Sequence, residues 1–242
     1  MSCQARTRTC KRRGVDAFSP LSPQEVPLQA HATHSAAGTR QRIVAEPRWR
    51  SLERYTTRSL PPATRAWLTD DGSLTARLVA LDQGPFRVQR LYQGWEVPLL
   101  TERALLGCPP RQRALVREVA LRLGDEAVVF ARSVFPVASL HGCLGHLRRL
   151  HNRSLGAILF SHPDMQRSPF ELAHMRGDSA YLPPQLRQPT PAWGRRSRFD
   201  IQGKQLLVSE VFLQPFRPWP ATLPVHRSQR GRVNAAFASP TQ

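Results

Sequence analysis

The 242-residue chain holds 35 Lys and Arg residues against 17 Asp and Glu residues, which gives a formal charge of +18. Its hydrophobic content of 40% is sufficient for a core and excludes a chain that is disordered throughout. Nine basic and three acidic residues fall within residues 1–50, and four basic and no acidic residues within residues 214–242. More than half of the excess charge therefore lies at the two ends, so it says little about the fold between them.

The four cysteines and the absence of long apolar runs indicate the compartment. The cysteines form no C-x-x-C pair and no dense framework, so neither a zinc ribbon nor a disulfide scaffold is supported. No apolar run approaches the ~20 residues of a membrane span, and no apolar segment follows the basic N-terminus. We expect a cytoplasmic protein with neither a membrane anchor nor a secretory signal.

Both ends of the chain are expected to lie outside the folded domain. Residues 1–47 are rich in Ser, Thr, Gln, Pro and Arg without an apolar period, which predicts a disordered basic extension or an upstream start-codon artefact. Residues 216–242 are again low in pattern, and we expect a second disordered tail there. One domain is predicted over residues 48–215.

The first predicted elements are helices. Pro61 and Pro62 suit a helix start, "DDGS" at residues 70–73 breaks that helix, and "LTARLVAL" resumes a helical pattern. Further along, residues 139–151 show an apolar period near 3.6, which predicts another helix.

Strands account for most of the remaining pattern. "FRVQRLY" begins at residue 86, and residues 114–124 and 126–137 predict an antiparallel hairpin. The Pro-bearing segment 181–192 is typical of an exposed loop, and a second hairpin is predicted to turn at residues 202–204. This order of elements favours a single α+β domain with a mainly antiparallel sheet.

Three charged residues fall on strand faces that are otherwise apolar. Glu210 alternates with Leu206, Val208 and Phe212 within "LLVSEVFL", and Arg117 and Arg132 occupy comparable positions in the first hairpin. A structural ion pair between Arg117 and Glu210, or half-covered strands at a sheet edge, would explain them. The functional alternative is an apolar pocket in which Arg117 binds a carboxylate and Glu210 a polar group of a small ligand.

Sharper chemical motifs are missing from the sequence. There is no G-x-S-x-G, H-E-x-x-H, Walker loop or G-x-G-x-x-G. His141, Cys143, His146 and His151 would spread around a helix at ~100° per residue, so we expect no metal site. The "GRRSR" of residues 194–198 could contact phosphate, although a solvated strand start explains it equally well.

Six segments between about residues 49 and 215 form a combination whose order and spacing are specific: "WLTDDGSLTARL", "ALVREV", "FARSVFP", "NRSLGAILF", "WGRRSRF" and "LLVSEVFL". In this combination the chain resembles the bacterial chorismate pyruvate-lyases, which make 4-hydroxybenzoate for ubiquinone synthesis. The resemblance implies a six-stranded antiparallel sheet flanked by helices, a ligand sealed beneath two helical flaps, and no metal or organic cofactor. The N-terminal extension, the loop at 181–192 and the C-terminal tail depart from the family pattern.

The resemblance also implies a role for each candidate site residue. Arg117 would hold the ring carboxylate, and Glu210 would meet the 4-hydroxyl. Leu155 would offer a backbone amide near that hydroxyl, and Leu74 a backbone contact near the carboxylate. Arg132 matches a family arginine and is our candidate for the cation that balances the enolpyruvyl carboxylate.

The function implied by the resemblance is the conversion of chorismate into 4-hydroxybenzoate and pyruvate, the first committed step of ubiquinone biosynthesis, by a cytoplasmic monomer. Two alternatives from other classes stay open. A non-catalytic sensor could bind 4-hydroxybenzoate in the same pocket, and the basic ends could bind nucleic acid with strongly salt-dependent affinity. We expect no stable nucleic-acid or membrane partner.

Overall fold

The structure is a computed structural model, and it describes residues 45–56 and 58–221. Eight antiparallel strands form one sheet there, in the order β1-β6-β7-β8-β4-β3-β2, with β5 pairing with β7 off this path. The strands are β1 Arg50–Ser51, β2 Phe86–Glu96, β3 Ala114–Leu123, β4 Glu126–Pro136, β5 Gln166–Arg167, β6 Glu171–Met175, β7 Ala192–Ile201 and β8 Lys204–Phe212.

Two hairpins form the centre of this sheet, and tight turns set their register. Ile201 pairs with Lys204 across a two-residue loop in which Gln202 and Gly203 both have positive φ, the geometry that suits the twist of a hairpin. Strands β3 and β4 join through Gly124, whose φ is also positive. Both predicted hairpins are therefore confirmed.

Four α-helices and four short 3₁₀ segments accompany the sheet in the described residues. The helices are α1 Pro62–Leu68, α2 Leu74–Ala80, α3 Leu100–Leu106 and α4 Leu155–Leu159. The 3₁₀ segments are Leu52–Arg54, Val137–Ser139, Gly142–Arg149 and Pro184–Leu186. Proline at the start of α1 and the Ser73 side chain at the start of α2, which accepts from the Ala76 amide, fix the predicted helix–loop–helix.

Each face of the sheet has its own core. On one face, α1, α2, α4 and the segment Gly142–Arg149 pack over strand residues such as Val119, Leu121 and Phe199. On the other face, α3 packs over Val116, Val134 and Leu207. We call the first of these the flap face, because the helices that cover it also cover the pocket described below.

The α+β class and the antiparallel sheet are confirmed, with eight strands rather than six. The difference is the two-residue strands β1 and β5, which are too short to produce an alternating pattern. The segment predicted as one helix over 139–151 forms 3₁₀ turns instead, and Gly142 there has a φ of 61°. Its leucines are buried all the same, because a leucine stripe can pack in either helix type.

Two expectations about loops and ends are corrected. The segment 181–192 is not wholly exposed, since Tyr181 and Leu182 are buried in the core opposite the flap face. The domain also extends past residue 215, because Phe216 is 1% exposed and Trp219 packs on it at 4.7 Å between ring centroids. Most of the two predicted disordered tails, residues 1–44 and 222–242, lies outside the described residues.

Candidate active site

A pocket lies between the flap face of the sheet and the helices above it. The sheet contributes lining side chains from β2, β3, β4, β5, β7 and β8, and the covering segments contribute α4 and the beginning of α2. Most of the wall is apolar. Four charged side chains interrupt it, namely Arg117, Arg167, Arg195 and Glu210.

The strand register brings two of the predicted site residues to one pocket. Arg117 on β3 stands opposite Ser133 on β4, and Ser133 stands opposite Val208 on β8, two residues from Glu210. Residues that pair across strands share a face, so Arg117 and Glu210 both point to the flap face. Two strand spacings and two residue rises separate their Cα atoms by about 12 Å, enough to hold a small ring between the side chains.

Arg117 is a buried cation that carbonyl groups hold in place. It is 2% exposed, and its Nη2 donates to the carbonyl oxygens of His151 at 3.0 Å and Arg153 at 2.9 Å. Within residues 45–56 and 58–221, its Nε has no hydrogen-bond partner. Burial, with a smaller contribution from Arg90, lowers the pKa of Arg117 to about 10.

Glu210 pairs with Arg195 rather than with Arg117. The Nε of Arg195 donates to Glu210 Oε2 at 2.6 Å, so the alternative of a structural ion pair between Arg117 and Glu210 is wrong. Arg195 is 1% exposed and also donates from Nη1 to the carbonyl oxygens of Trp67 and Asp70. Its Nη2 is buried and has no hydrogen-bond partner in the part of the chain that the structure describes.

Arg167 is a third guanidinium in this pocket. Its Nε donates to Ser197 Oγ at 2.8 Å and its Nη1 to the Asp71 carbonyl at 3.2 Å. The guanidinium lies 4.1 Å from the ring centroid of Phe170 and 4.9 Å from that of Phe199. Burial, reinforced by the charge of Arg195, lowers the pKa of Arg167 to about 9.

Two helical flaps meet above the pocket. The first comprises α1, α2 and the loop between them, and the second comprises residues 142–159. Thr75 Oγ1 on the first flap lies 2.9 Å from Ser154 Oγ on the second. A Cβ added to Gly156 would lie 3.2 Å from Ser73 Oγ, so the flaps approach each other closely at this glycine.

Leu74 and Leu155 both line the pocket, but the contacts around them reverse the expected allocation of its two ends. The second flap, which carries Leu155, supplies the carbonyls that hold Arg117. The first flap, which carries Leu74, supplies the carbonyls that hold Arg195, the partner of Glu210. Leu155 therefore belongs to the Arg117 end and Leu74 to the Glu210 end.

Arg132 does not line the pocket, which corrects its predicted role. Its guanidinium lies on the opposite face, where Nε donates to Glu102 at 2.8 Å and Nη1 to Glu118 at 2.8 Å. Burial alone would lower the pKa of Arg132, but these carboxylates outweigh it and raise the pKa. The cause of the misplacement is a bulge that shifts the β3–β4 register by one residue next to Leu121 and so reverses the face of every later residue.

The described residues contain no group of three or more His, Cys, Asp or Glu side chains that could hold a metal ion. In the same part of the chain, no helix is both long and apolar enough to cross a bilayer. The charged groups of the pocket are thus guanidinium groups and a carboxylate. Such a set can bind an anionic ligand and stabilise negative charge on it, and its carboxylate can accept a hydrogen bond.

The sequence interpretation missed Arg195 and Arg167 for different reasons. The "GRRSR" segment suggests a solvated strand start or a phosphate contact, whereas Arg195 and Arg196 are both buried, one on each face of β7. Two adjacent arginines inside an aromatic-flanked strand were a usable signal. Arg167 had none, because it lies on a two-residue strand.

Comparison with known proteins places the chain within a known family. The family model for chorismate lyase matches residues 48–219. The chain is 44% identical over 155 residues to a Pseudomonas aeruginosa (strain UCBPP-PA14) protein named "Probable chorismate pyruvate-lyase", covering 64% of this chain and 85% of that protein. A Methylococcus capsulatus protein of the same name is 40% identical over 167 residues, covering 67% and 98%.

A solved structure, the effector domain of PhnF from Mycobacterium smegmatis, is also similar, with a TM-score of 0.45 and 15% identity. That similarity covers 60% of this chain and 90% of the other. At this level it supports no conclusion about function.

Proposed function

The chain belongs to the chorismate lyase family and is a lyase, and from this premise we propose that it converts chorismate into 4-hydroxybenzoate and pyruvate in the pocket beneath the two flaps. Its substrate is a small molecule. We further propose that the reaction takes place in the cytoplasm, is carried out by a monomer and is the first committed step of ubiquinone biosynthesis.

The observation that carries this proposal is the charge of the pocket. Three guanidinium groups line it against the single carboxylate of Glu210, which leaves two positive charges in a largely apolar enclosure. Chorismate carries two carboxylates, and its remaining polar groups, a hydroxyl and an ether oxygen, are uncharged, so it would neutralise the pocket. An uncharged or cationic ligand would leave the desolvation of these arginines uncompensated.

The pocket supports an orientation for the ring. The Arg117 guanidinium binds the ring carboxylate, and the Leu155 backbone contributes at the same end. Glu210 accepts a hydrogen bond from the hydroxyl at C4, which is para to that carboxylate, and the Leu74 backbone lies at this end. Within the described residues no protein donor reaches Glu210 Oε1, whereas Oε2 is engaged by Arg195, so one oxygen is open to the ligand.

The reaction needs positioning and electrostatics more than a nucleophile. The bond between C3 and the ether oxygen breaks, C4 loses its hydrogen as a proton, and the C4–H electron pair forms the double bond that completes the aromatic ring. The ether oxygen leaves with its electron pair as the enolate of pyruvate, which takes up a proton at its terminal carbon. Buried guanidinium groups stabilise the charge that develops on that oxygen, and the flaps exclude water.

Pyruvate release from chorismate, followed with lactate dehydrogenase and NADH, tests the proposal. The wild-type protein should release one pyruvate per chorismate, and Arg117→Ala should lower kcat/KM about 100- to 1,000-fold because the ring carboxylate loses its anchor. Arg87→Ala is the matched control, since Arg87 is an exposed arginine paired with Asp125 on the sheet edge. Binding of 4-hydroxybenzoate without any turnover of chorismate would instead identify a sensor.

A further inference from the structure

The pocket contains more cation than a single ring carboxylate requires. Arg117 lies at one end, while Arg167 and Arg195 lie together on the far side, both facing the ring of Phe170, at 4.1 Å and 5.2 Å respectively. Of the described residues that line the pocket, Glu210 alone carries a carboxylate, and it pairs with Arg195. Among residues 45–56 and 58–221, neither Arg117 nor Arg167 has a carboxylate at ion-pair distance.

We propose that Arg167, supported by Arg195, forms a second anion subsite that binds the enolpyruvyl carboxylate of chorismate, the role that the sequence had suggested for Arg132. This inference rests on the proposed function. Arg117 then serves the ring carboxylate alone, and the two carboxylates of the substrate are held by different arginines.

The location of the arginine pair matches the chemistry of the substrate. The enolpyruvyl ether is attached at C3, next to the C4 hydroxyl, so its carboxylate must lie near the group that binds this hydroxyl. Arg195 donates directly to Glu210, which we assign to the hydroxyl. The second subsite is thereby adjacent to the C4 end and separate from the Arg117 end.

The surroundings of the Arg167 guanidinium also favour the binding of an anion. Ser197 Oγ and the Asp71 carbonyl fix its plane, and two aromatic rings flank it. These partners are neutral, so the guanidinium charge is desolvated without a counter-ion of its own. A carboxylate that enters the pocket supplies that counter-ion and gains a charge-assisted hydrogen bond in a low-dielectric site.

The subsite would contribute to catalysis as well as to binding. When the C3–O bond breaks, the electron pair moves onto an oxygen two bonds from the side-chain carboxylate. A guanidinium on that carboxylate is close to the developing enolate and stabilises it relative to the ground state. Loss of Arg167 should therefore reduce kcat as well as raise KM.

A matched pair of ligands tests the subsite in the wild-type protein. The probes are 3-(carboxymethoxy)-4-hydroxybenzoate and 3-(2-hydroxyethoxy)-4-hydroxybenzoate, which differ in whether the ether side chain ends in a carboxylate or an alcohol. Calorimetry should give a Kd at least about tenfold lower for the carboxylate. Equal affinity for the two probes would overturn the inference.

Variants of Arg167 supply the second measurement. Arg167→Gln should lower kcat/KM for chorismate on the order of 100-fold, while changing the Kd for 4-hydroxybenzoate, which lacks the second carboxylate, by less than about threefold. Arg167→Lys should recover part of the loss, because it keeps a cation. Arg117→Ala, in contrast, should weaken both substrate turnover and product binding.

The outcomes separate this inference from the proposed function. A wild-type protein that releases no pyruvate overturns both. If the wild-type protein turns over chorismate and Arg167→Gln is as active as wild type, this result overturns only the subsite. The same holds if Arg167→Gln loses kcat/KM for chorismate and affinity for 4-hydroxybenzoate to the same extent. Melting temperatures of each variant show whether it is folded, and the ligand pair tests the subsite in the wild-type protein even if Arg167→Gln does not fold.

Discussion

Two buried arginines on opposite faces of the sheet have opposite electrostatic surroundings. Arg132 lies between the buried carboxylates of Glu102 and Glu118, whereas the hydrogen-bond partners of Arg167 among the described residues are neutral. The pKa of Arg132 is raised and that of Arg167 lowered to about 9, so the folded protein favours the charged form of one and disfavours that of the other. Their removal should therefore affect stability differently.

We expect Arg132→Met to lower the free energy of unfolding by about 3–5 kcal/mol, because it removes a buried cation that hydrogen-bonds to both Glu102 and Glu118. Arg167→Met should change it by less than about 1 kcal/mol, because it removes a desolvated charge together with a few neutral contacts. Urea titrations at pH 7 measure both. A larger loss in Arg167→Met than in Arg132→Met would contradict this assignment of surroundings.

At the residue scale, the sequence predicted two of the four charged side chains that line the pocket. Arg117 and Glu210 break a period-two apolar pattern, and that signal does not depend on knowing the register. Arg132 breaks the same pattern, but the bulge in the β3–β4 pairing sends it to the other face. The hydrophobic pattern of a strand with a one-residue bulge does not differ from ordinary alternation, so the pattern does not indicate on which face Arg132 lies.

Among the elements, the two flaps decide how tightly the pocket closes. Gly156 lies in the first turn of α4, where the flaps touch, and an added side chain there would press on Ser73 Oγ. Gly156→Val should therefore hold the flaps apart, raising the dissociation rate of 4-hydroxybenzoate about tenfold or more. Stopped-flow displacement measures this rate. Gly145→Val is a control on the same flap, because a Cβ added there would lie 3.7 Å from its nearest neighbour, the Leu140 carbonyl oxygen.

The loop of the first flap depends on an ion pair. Asp70 accepts from Arg77 Nη2 at 2.8 Å and from Arg77 Nε at 3.0 Å. Burial would raise the pKa of Asp70, but the hydrogen bonds to Arg77 and the charge of Arg195 lower it. A lowered carboxyl pKa contributes stability that is present above the unfolded value of 3.8 and is lost as the pH falls below it.

Asp70→Asn should accordingly destabilise the protein by about 1–3 kcal/mol at pH 7, with the difference from wild type shrinking as the pH falls below about 3.8. Denaturant titrations at several pH values provide the measurement. Asp71→Asn alters the neighbouring, exposed residue and should be neutral. A pH-independent difference for Asp70→Asn would show that its charge is not the stabilising feature.

Element prediction succeeded where the local signal was strong. The α1–α2 pair has proline and serine at its helix starts, and the hairpins have tight turns, so both follow from short stretches of sequence. Strand β6 and helix α3 were not predicted, since five and seven residues carry too little periodicity. The segment Gly142–Arg149 shows the limit of the 3.6 period, because packing of its leucines against the sheet selects a tighter helix than the pattern implies.

At the scale of the whole molecule, the segment after β8 packs on the domain, although the sequence predicts that the domain ends at residue 215. Phe216 is almost fully buried against Phe212 and Trp67, at ring-centroid distances of 4.8 Å and 5.0 Å. The indole Nε1 of Trp67 donates to the Pro218 carbonyl at 2.9 Å. Because Trp67 lies in α1, this segment ties the last strand of the sheet to the first flap.

Truncation after Pro215 should therefore affect both stability and the pocket. Loss of the buried Phe216 ring, of the partly buried Trp219 ring and of the acceptor for Trp67 should lower the free energy of unfolding by about 3–5 kcal/mol. The first flap also loses its anchor, so the affinity for 4-hydroxybenzoate should fall. The control is truncation after Ala221, which keeps these contacts and should retain both the stability and the affinity for 4-hydroxybenzoate. Denaturant titrations compare the two truncated proteins. Equal stability would show that residues 216–221 are not part of the folding unit.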